Sequence, residues 1–467
     1  MEKNIHDILN QVLRKVVPTR EERERTERLC NKILESFDKV TKGKFLIKPM
    51  FCGSIAKDTW LAGNKDIDLF LLFRPNVSRE NLTKYGLLIG RDIIKKLFGE
   101  VEVAYAEHPY IRGFVANHRV EIVPAYNIKD SGKIKSAVDR TPYHVRYVNE
   151  KLNRNLTNEV RLLKRFCKGI GVYGSDLKTE GLSGYLCELL IIEYGTFENL
   201  LRNVPGWHPG MVIDIENHYK NKSQAKRKFK NNPLIVVDPV DKNRNVASVL
   251  SAENFFLFIK KSKEFLEKPD MSFFFSSRIE TEPEEIKKHM EERGTKFIFI
   301  KFRAPTTHQD ILWPQLRKLR KRLTDVLEDS DFKIVRSDVW SDEVRCVIVL
   351  ELLVDKLPKI QKRIGPSIFD IEGSSGFLSR YENYKILIED SQWVVEYPRR
   401  YKEAVELLKD FLGEDFKSLK ERGVPKNLAE EIHEDVEIFS DEHASRLIRR
   451  YEDFRIFLKK YFEKDLV

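Results

Sequence analysis

The chain has 467 residues, of which 41% are hydrophobic and 33% are charged. This apolar share is enough for packed cores and excludes a wholly disordered protein, while the length predicts several domains. The formal net charge of +10 indicates a polyanionic partner, and it favours nucleic acid over a membrane surface. The alternative interpretation is a highly charged surface like that of proteins from thermophiles.

Cysteine usage and hydropathy give little support to a secreted or membrane protein. The five cysteines form no CxxC pair, which disfavours both a disulfide scaffold and a structural zinc site. Residues 1–15 predict an amphipathic helix with internal charges rather than a signal peptide, and no apolar run approaches bilayer length. We therefore expect a soluble protein of the reducing cytoplasm, with no membrane partner.

The first 125 residues predict a mixed α+β unit. Thr19 is a helix N-cap with Glu22 as its capping-box partner, and a strand is expected at 45–52. The following elements are a short helix, a strong strand, a long helix and three short strands, at 53–63, 66–73, 78–98, 101–105, 110–115 and 119–124. One mixed sheet accounts for these strands.

The remainder predicts a helical region followed by a second α+β unit. Helices are clearest at 158–171 and 181–195, and a strand–helix–strand–strand order over 295–354 is typical of a ferredoxin-like or RRM-like unit. We therefore predict a multi-domain α+β protein. Its four domains are a mixed-sheet head, a helical central domain, a ferredoxin-like body and a mostly helical C-terminal region, at 1–145, 146–268, 269–357 and 358–467.

The sharpest chemical signal is Gly53-Ser54, followed after eleven residues by Asp66 and Asp68. Alternation along a strand places both aspartates on one face, where the two carboxylates repel each other unless a cation lies between them. Oxygen ligands of this kind suit Mg²⁺. Upstream, free backbone N–H groups at a strand-to-helix turn can hold a phosphate, and glycine permits close approach.

Glu121 is the expected third carboxylate, because it lies among apolar residues on a neighbouring strand. An ionised glutamate there is costly without a cation. With it, the set can hold two metals about 3.5–4 Å apart, one activating a hydroxyl and the other stabilising a leaving phosphate. The alternative for Asp66 and Asp68 is a surface pair on an edge strand.

Together, the Gly-Ser turn and the DxD strand resemble the DNA polymerase beta nucleotidyltransferase superfamily. More narrowly, the chain resembles the class I (archaeal) CCA-adding enzymes, a family of tRNA nucleotidyltransferases. The resemblance is dense over 53–247 and looser at KFR, WPQL and RIGP further on. Its segments are GSIAKDTWLAG, KDIDLFLLF, AEHPYIRG, EIVPAY, KSAVDRTPYH, NEVRLLKRFCKGIGVYG, GLSGYLCELLI and VVDPVDKNRNVA.

The resemblance implies a nucleotidyltransferase head with metal ligands Asp66, Asp68 and Glu121. It implies a nucleotide site whose residues are Gly53, Ser54, Lys57, Thr141, His144, Lys164, Tyr173, Ser183 and Arg244, with Asp241 a weaker candidate. In this scheme Arg244 reads the base edge, while Lys164 and Tyr173 hold phosphates. Glu121 stands where relatives commonly carry Asp, Asp66 where some carry Glu, and Lys57 where many carry Arg.

Simpler interpretations of four of these residues stay open. Lys164 could belong to a solvated helix face, and Tyr173 could serve packing alone. His144 could be a structural histidine. Arg244 could clamp a phosphate or a carboxylate instead of a base.

Basic patches outside the predicted active site suggest a phosphate backbone as partner. Residues 218–230 carry six Lys or Arg and no acid. The candidate RNA contacts further on are Lys301, Arg303, Arg317, Lys318, Arg320, Lys321, Arg322, Arg399 and Arg400, and any single run among them could equally be a solvated surface. The resemblance implies that the acceptor stem and T arm of tRNA are held by shape and phosphates, and it allows a homodimer.

The implied reaction is template-independent addition and repair of the tRNA 3′-terminal CCA. CMP, CMP and AMP are transferred in turn from CTP and ATP to the 3′-hydroxyl, with release of pyrophosphate and Mg²⁺ as cofactor. The alternatives are a poly(A) polymerase or oligoadenylate synthetase relative, and a non-catalytic double-stranded-RNA-binding protein on the same fold.

Overall fold

The computed structural model describes residues 5–43, 47–105, 108–128, 134–275 and 280–464. The chain divides into two compact units, one formed by residues 1–278 with 466–467 and the other by 279–465. No helix within the described ranges combines the length and the apolar character that a membrane crossing requires.

The first unit begins with two helices and a five-stranded sheet in the order β1-β2-β5-β4-β3, in which only β2 and β5 run parallel. The capping box predicted for Thr19 and Glu22 is confirmed. The strand predicted from residue 45 begins at Lys48, and the positions at 45–46 and 106–107 lie outside the described residues. The elements are α1 Ile5–Val16, α2 Arg20–Thr41, β1 Lys48–Cys52, α3 Gly53–Ala56, β2 Asp66–Phe73, α4 Arg79–Lys96, β3 Glu100–Tyr105, β4 Pro109–Val115 and β5 His118–Tyr126.

Alternation along β2 determines which of its side chains meet the core. Ile67 and Leu69 are buried in one cluster with Ile33 and Phe37 of α2 and Ile93 of α4. Asp66 and Asp68 therefore lie on the opposite face of the sheet. The fold thus separates a face covered by α2 and α4 from a face on which the carboxylates lie at the start of β2 and are followed by the buried side chains of Phe70 and Leu72.

The rest of the first unit is mainly helical, with a small sheet in the order β6-β7-β8. Its core contains an aromatic cluster in which Phe166 contacts Phe197, Phe258, Phe265 and Phe274. The elements are α5 Thr141–Lys151, α6 Arg154–Gly169, α7 Gly184–Tyr194, α8 Phe197–Asn203, β6 Met211–Ile213, α9 Lys222–Lys228, β7 Leu234–Asp238, β8 Asp241–Asn245 and α10 Ala252–Glu267.

The second unit contains the predicted strand–helix–strand–strand, completed by a strand from near the end of the chain. The sheet order is β10-β11-β9-β15 and every neighbouring pair is antiparallel. The fourth strand thus comes from the segment assigned on the sequence to the C-terminal region. The elements are α11 Pro283–Arg293, β9 Lys296–Arg303, α12 Gln309–Glu328, β10 Ile334–Ser341, β11 Arg345–Leu352 and β15 Val436–Ser440.

Between β11 and β15 lies a three-stranded sheet in the order β12-β14-β13, which the expectation of a mostly helical region did not include. The β13–β14 turn is made by Asp390 and Ser391, both at positive φ without a glycine. The helices expected in this region are also present. The elements are β12 Ile360–Ser367, α13 Ile371–Arg380, β13 Lys385–Glu389, β14 Gln392–Pro398, α14 Ala404–Leu412, α15 Phe416–Glu421, α16 Lys426–Glu434, α17 Ser445–Arg450 and α18 Glu452–Phe462.

Candidate active site

Three half-buried carboxylates converge on the face of β2 and β5 that is opposite to α2 and α4. The parallel register places Asp68 opposite Glu121 and Asp66 opposite Arg119. Arg119 Nε lies 3.0 Å from Asp66 Oδ1 and 3.7 Å from Glu121 Oε1, and Arg112 Nε donates to Glu121 Oε1 at 3.1 Å. Two guanidinium groups therefore neutralise part of a three-carboxylate cluster.

The pKa of Asp68 reflects its position in this cluster. Burial, followed by the charges of Glu121 and Asp66, raises the pKa of Asp68 to about 6. A carboxylate held in this way is stabilised in its ionised form by a nearby cation. The donor set of three carboxylates on adjacent strands therefore fits a hard divalent cation with oxygen ligands.

Gly53 brings the Gly-Ser turn directly against this cluster. Its φ is +65°, and a Cβ atom added there would lie 1.8 Å from Asp68 Oδ2. No residue with a side chain fits this position without displacing the carboxylate. The turn and the DxD strand are thus one structural unit, as their spacing in the sequence predicted.

A second cluster is built around Glu188, which the sequence analysis did not single out. Its buried carboxylate forms ion pairs with both Lys57 and Lys164, the latter at 3.0 Å, and accepts from Thr59 Oγ1 at 2.6 Å. Lys164 also donates to Thr59 Oγ1 at 2.9 Å. Burial alone would raise the pKa of Glu188, but the two lysines and their hydrogen bonds hold it at about 2.

The structure therefore excludes a solvated helix face for Lys164, whose side chain is buried. Burial lowers the pKa of its ammonium group, and Glu188 opposes that effect. An acidic residue in the otherwise apolar segment 186–192 was the available sequence signal for Glu188.

Tyr173 and Ser183 lie at the start of α7, close to Lys164. Tyr173 forms a bridge with Leu182, and Ser183 caps the helix by accepting from the N–H of Leu186 at 3.0 Å. A Cβ added at Gly184 would lie 3.1 Å from Tyr173 Oη and 3.5 Å from Lys164 Nζ. Two predicted phosphate-binding groups therefore meet at the N-terminal turn of a helix.

A third cluster surrounds Asp238, which the sequence analysis also passed over. Its buried carboxylate is 3.0 Å from His144 Nε2 and accepts from Arg244 Nη1 at 2.8 Å and from Tyr185 Oη at 3.2 Å. Burial would raise the pKa of Asp238, but His144, Arg244 and the N–H of Val240 hold it at about 2. One carboxylate therefore positions both His144 and Arg244.

Two contacts connect the Asp238 cluster with its surroundings. The ring of His144 stacks on Tyr185 at 4.0 Å, and Lys57 Nζ lies 5.7 Å from the centroid of the same tyrosine. His144 is therefore held on two sides, by a carboxylate and by a ring. The structural interpretation of this histidine and a nucleotide contact are both compatible with that geometry.

Thr141 is the first residue of α5, and the residue before it connects that helix to β8. Arg140 Nε lies 2.9 Å from Oδ2 of Asp241. Asp241, the weaker candidate beside Arg244, is therefore occupied in an ion pair that holds the start of α5 next to the strand bearing Arg244.

The nine basic residues predicted to contact RNA lie in the second unit, and they differ in solvent exposure and in their intramolecular partners. Four of them are exposed, namely Arg303, Lys318, Lys321 and Arg400. Of these four, Arg400 also lies 3.5 Å from Asp410. The other five have intramolecular partners: Lys301 pairs with Glu437, Arg399 pairs with Asp331, Arg320 and Arg322 donate to the carbonyls of Ser337 and Arg422, and Arg317 lies over the ring of Trp313.

Comparisons with known proteins cover both units. Residues 30–144 match the family model described as a nucleotidyltransferase domain, 158–275 the second domain of tRNA nucleotidyltransferase, and 293–441 the C-terminal domain of the CCA-adding enzyme. These three matches follow one another in order along most of the chain.

Full-length relatives give the same pattern. The chain is 39% identical over 429 residues to the CCA-adding enzyme of Methanocaldococcus jannaschii, covering 90% of this chain and 93% of that one. It is 35% identical over 464 residues to the CCA-adding enzyme of Methanosarcina acetivorans, covering 97% and 98%. A crystal structure of the Cid1 poly(U) polymerase has a TM-score of 0.47 and 14% identity, covering 58% of this chain and 98% of that chain.

Proposed function

The chain belongs to the CCA-adding enzyme family, and from this premise we propose that it builds and repairs the 3′-terminal CCA of tRNA. It is a nucleotidyltransferase that uses CTP and ATP and releases pyrophosphate, without a nucleic-acid template. The observation that carries the proposal is the convergence of Asp66, Asp68 and Glu121 beside the Gly53 turn. Neither the poly(A) polymerase nor the non-catalytic alternative is favoured by the full-length relatives.

Asp66, Asp68 and Glu121 are the residues that we propose hold divalent cations, with Mg²⁺ as the metal. The raised pKa of Asp68 supports this assignment, because a bound cation opposes both of its causes, the burial of the carboxylate first and the repulsion from Glu121 and Asp66 second. Bound cations supply activation of the attacking 3′-hydroxyl and stabilisation of the leaving pyrophosphate. In this site Glu121 takes the position of the third carboxylate, and Arg112 and Arg119 orient it.

The triphosphate of the incoming nucleotide is assigned to Gly53-Ser54 and to the groups around Glu188. Lys57 and Lys164 together carry one positive charge more than Glu188 neutralises, so the cluster attracts an anion. Tyr173 and Ser183 lie beside Lys164 at the N-terminus of α7, where backbone N–H groups also favour phosphate.

We assign recognition of the base edge to Arg244, and positioning of the nucleotide to Thr141 and His144. Asp238 accepts from Nη1 of Arg244, which fixes the plane of the guanidinium group and directs its donors. A fork of fixed donors can bond to acceptors such as O2 and N3 of cytosine. Bases that present donors to this fork leave buried groups unpaired and are rejected.

The tRNA itself is assigned to the basic residues of the second unit, of which Arg303, Lys318, Lys321 and Arg400 are exposed. We propose that they hold the phosphates of the acceptor stem and T arm, that the active protein is a homodimer, and that it works in the cytoplasm with the tRNA pool. Phosphate contacts carry no sequence information, so every tRNA is a substrate.

A nucleotide-addition assay tests this function. Transcripts of tRNA lacking the last three residues are incubated with labelled CTP, ATP, or both; the proposal expects two C residues, then one A, then no further growth. Asp68→Asn should abolish incorporation, whereas Asp38→Asn, the same change on an exposed position of α2, should leave it unchanged. Open-ended addition of A, or an active Asp68→Asn variant, contradicts the proposal.

A further inference from the structure

A dense positive surface surrounds the short helix α9 in the first unit. We define the α9 surface as its six basic side chains, all of them exposed: Lys220, Lys222, Lys226, Arg227, Lys228 and Lys230. Across the part of the chain that the structure describes, none of the six forms an ion pair with an acidic side chain. This surface therefore keeps its full charge for an external partner.

The α9 surface is held firmly against the strand that carries Arg244. Ala225 is buried with Val212 and Ile235 in a small cluster beneath the helix. Tyr219 Oη donates to the carbonyl of Lys242 at 2.5 Å, and Lys228 Nζ donates to Asn243 Oδ1. The charge is thus presented by an element that is fixed to β8.

A cavity of 470 Å³ opens beside three of these cations. Its walls include Lys226, Arg227 and Lys230 together with the rings of Phe229 and Phe256. Phe256 is 43% exposed. Gly210 lies next to the stem of Lys226, since a Cβ added at Gly210 would be 2.8 Å from Lys226 Cε.

We propose that the α9 surface and this cavity form an RNA-binding site, with one nucleotide base in the cavity against Phe256 and adjacent phosphates on Lys226, Arg227 and Lys230. An aromatic ring flanked by cations suits an unpaired nucleotide, because the ring stacks on a base while the cations hold the backbone. The combination of cations with an exposed ring in one cavity favours RNA over an acidic protein, whose acids would engage the cations alone, and over an anionic membrane, which offers no base to stack on Phe256. This inference rests on the proposed function.

Direct binding of RNA to the full chain tests the site. The probe is a fluorescent hairpin with the acceptor stem and T arm of tRNA and an unpaired 3′ end, titrated by anisotropy from about 50 to 200 mM salt, the range over which phosphate contacts weaken strongly. The triple variant Lys226→Ala/Arg227→Ala/Lys230→Ala should weaken binding at least tenfold at low salt and reduce the slope of log affinity against log salt by about 2. Phe256→Ala should weaken binding about tenfold with the slope unchanged, because stacking releases no counterions.

The matched control removes the same charge from another exposed site of the first unit. Arg91→Ala/Lys95→Ala/Lys96→Ala on α4 should leave both affinity and slope at their wild-type values. In steady-state incorporation, the α9 triple variant should raise KM for the RNA but not KM for CTP. Thermal melts of each variant identify any that fail to fold, and Phe256→Ala then carries the test alone.

The results separate this inference from the proposed function. If the wild-type chain adds CCA but the α9 triple variant and Phe256→Ala bind RNA as the wild type does, the site is wrong while the function stands. Binding of the wild-type chain to phosphatidylserine vesicles through the same residues, without an effect on RNA, also overturns it. If the wild-type chain binds the hairpin but adds no nucleotides, the function fails while the surface remains a binding site.

Discussion

At Gly53, the addition of a single carbon atom should strongly reduce catalytic activity. Alanine at a φ of +65° costs about 1–2 kcal/mol of backbone strain, and its Cβ would displace the carboxylate of Asp68. Misplacing a group at the reacting centre by about 1 Å costs on the order of a hundredfold in rate. We therefore expect Gly53→Ala to reduce CMP incorporation by about a hundredfold or more, measured as kcat/KM.

The control for this variant is Gly63→Ala. Gly63 has a φ of +77° and nothing within 4 Å of an added Cβ, so it carries the same backbone strain without a collision. On urea unfolding Gly63→Ala should lose the stability that backbone strain costs and Gly53→Ala at least as much, and only Gly53→Ala should lose activity. Equal activity of the two would contradict the placement of the Gly-Ser turn against Asp68.

Asp238 should act on the nucleotide through Arg244. Asp238→Asn removes the charge that orients Arg244 and His144, and hydrogen bonds to charged groups are worth about 1.5–3 kcal/mol, so kcat/KM for CTP should fall roughly 10- to 100-fold. In the double variant with Arg244→Ala the two losses should not add, because one acts through the other. Additive losses, or a drop in melting temperature without a change in KM, would show that Asp238 is purely structural.

The site could be predicted from the sequence only where its residues are close in the chain or share a strand face. Asp66 and Asp68 follow from alternation, and Glu121 follows from its place on a buried strand. Glu188 and Asp238 were not predicted, because each cluster is completed by a partner about 100 residues away, Lys57 for the former and His144 for the latter. The local sequence contains one indication of these two residues, namely an acidic residue within or next to an apolar segment.

At the scale of elements, the packing of α18 against the second-unit sheet is open to a direct test. Phe454 is fully buried and contacts Phe299 of β9 and Trp340 of β10 edge to face. Phe454→Ala should lower the free energy of unfolding by about 3–5 kcal/mol in urea. Phe369→Ala, on a ring that is 79% exposed in the same unit, should change it by less than about 0.5 kcal/mol.

Two features of the second unit were not predicted from the sequence, namely the three-stranded sheet β12-β14-β13 and the strand β15, because neither has a clear local sequence signature. Strand β12 alternates weakly and is half-exposed, so its residues do not separate into an apolar and a polar face. The β13–β14 turn uses Asp390 and Ser391 instead of the usual Asn-Gly or Asp-Gly pair. Strand β15 is five residues long and is identified as a strand mainly by its pairing with β9.

At the scale of the whole molecule, the two units should be separable. Each has its own buried clusters, one around Phe166 and β2, the other around β9 and α12. We expect a fragment of residues 1–278 to unfold cooperatively and to bind CTP with Mg²⁺ within about threefold of the full chain, since additivity holds for independent parts. Calorimetric titration checks this, and a fragment without a cooperative melt would contradict it.

The position of β15 has a consequence for how the protein is made. About 130 residues separate β9 from the strand that covers its edge, and at elongation rates of about 5–20 residues per second the nascent chain must wait on the order of ten seconds for it. During that interval the edge of the largely apolar strand KFIFIKFR that β15 later covers has no partner strand. Its lysines and arginine disfavour pairing with a neighbouring nascent chain until Glu437 arrives to meet Lys301, so charge on this strand also protects the protein during its synthesis.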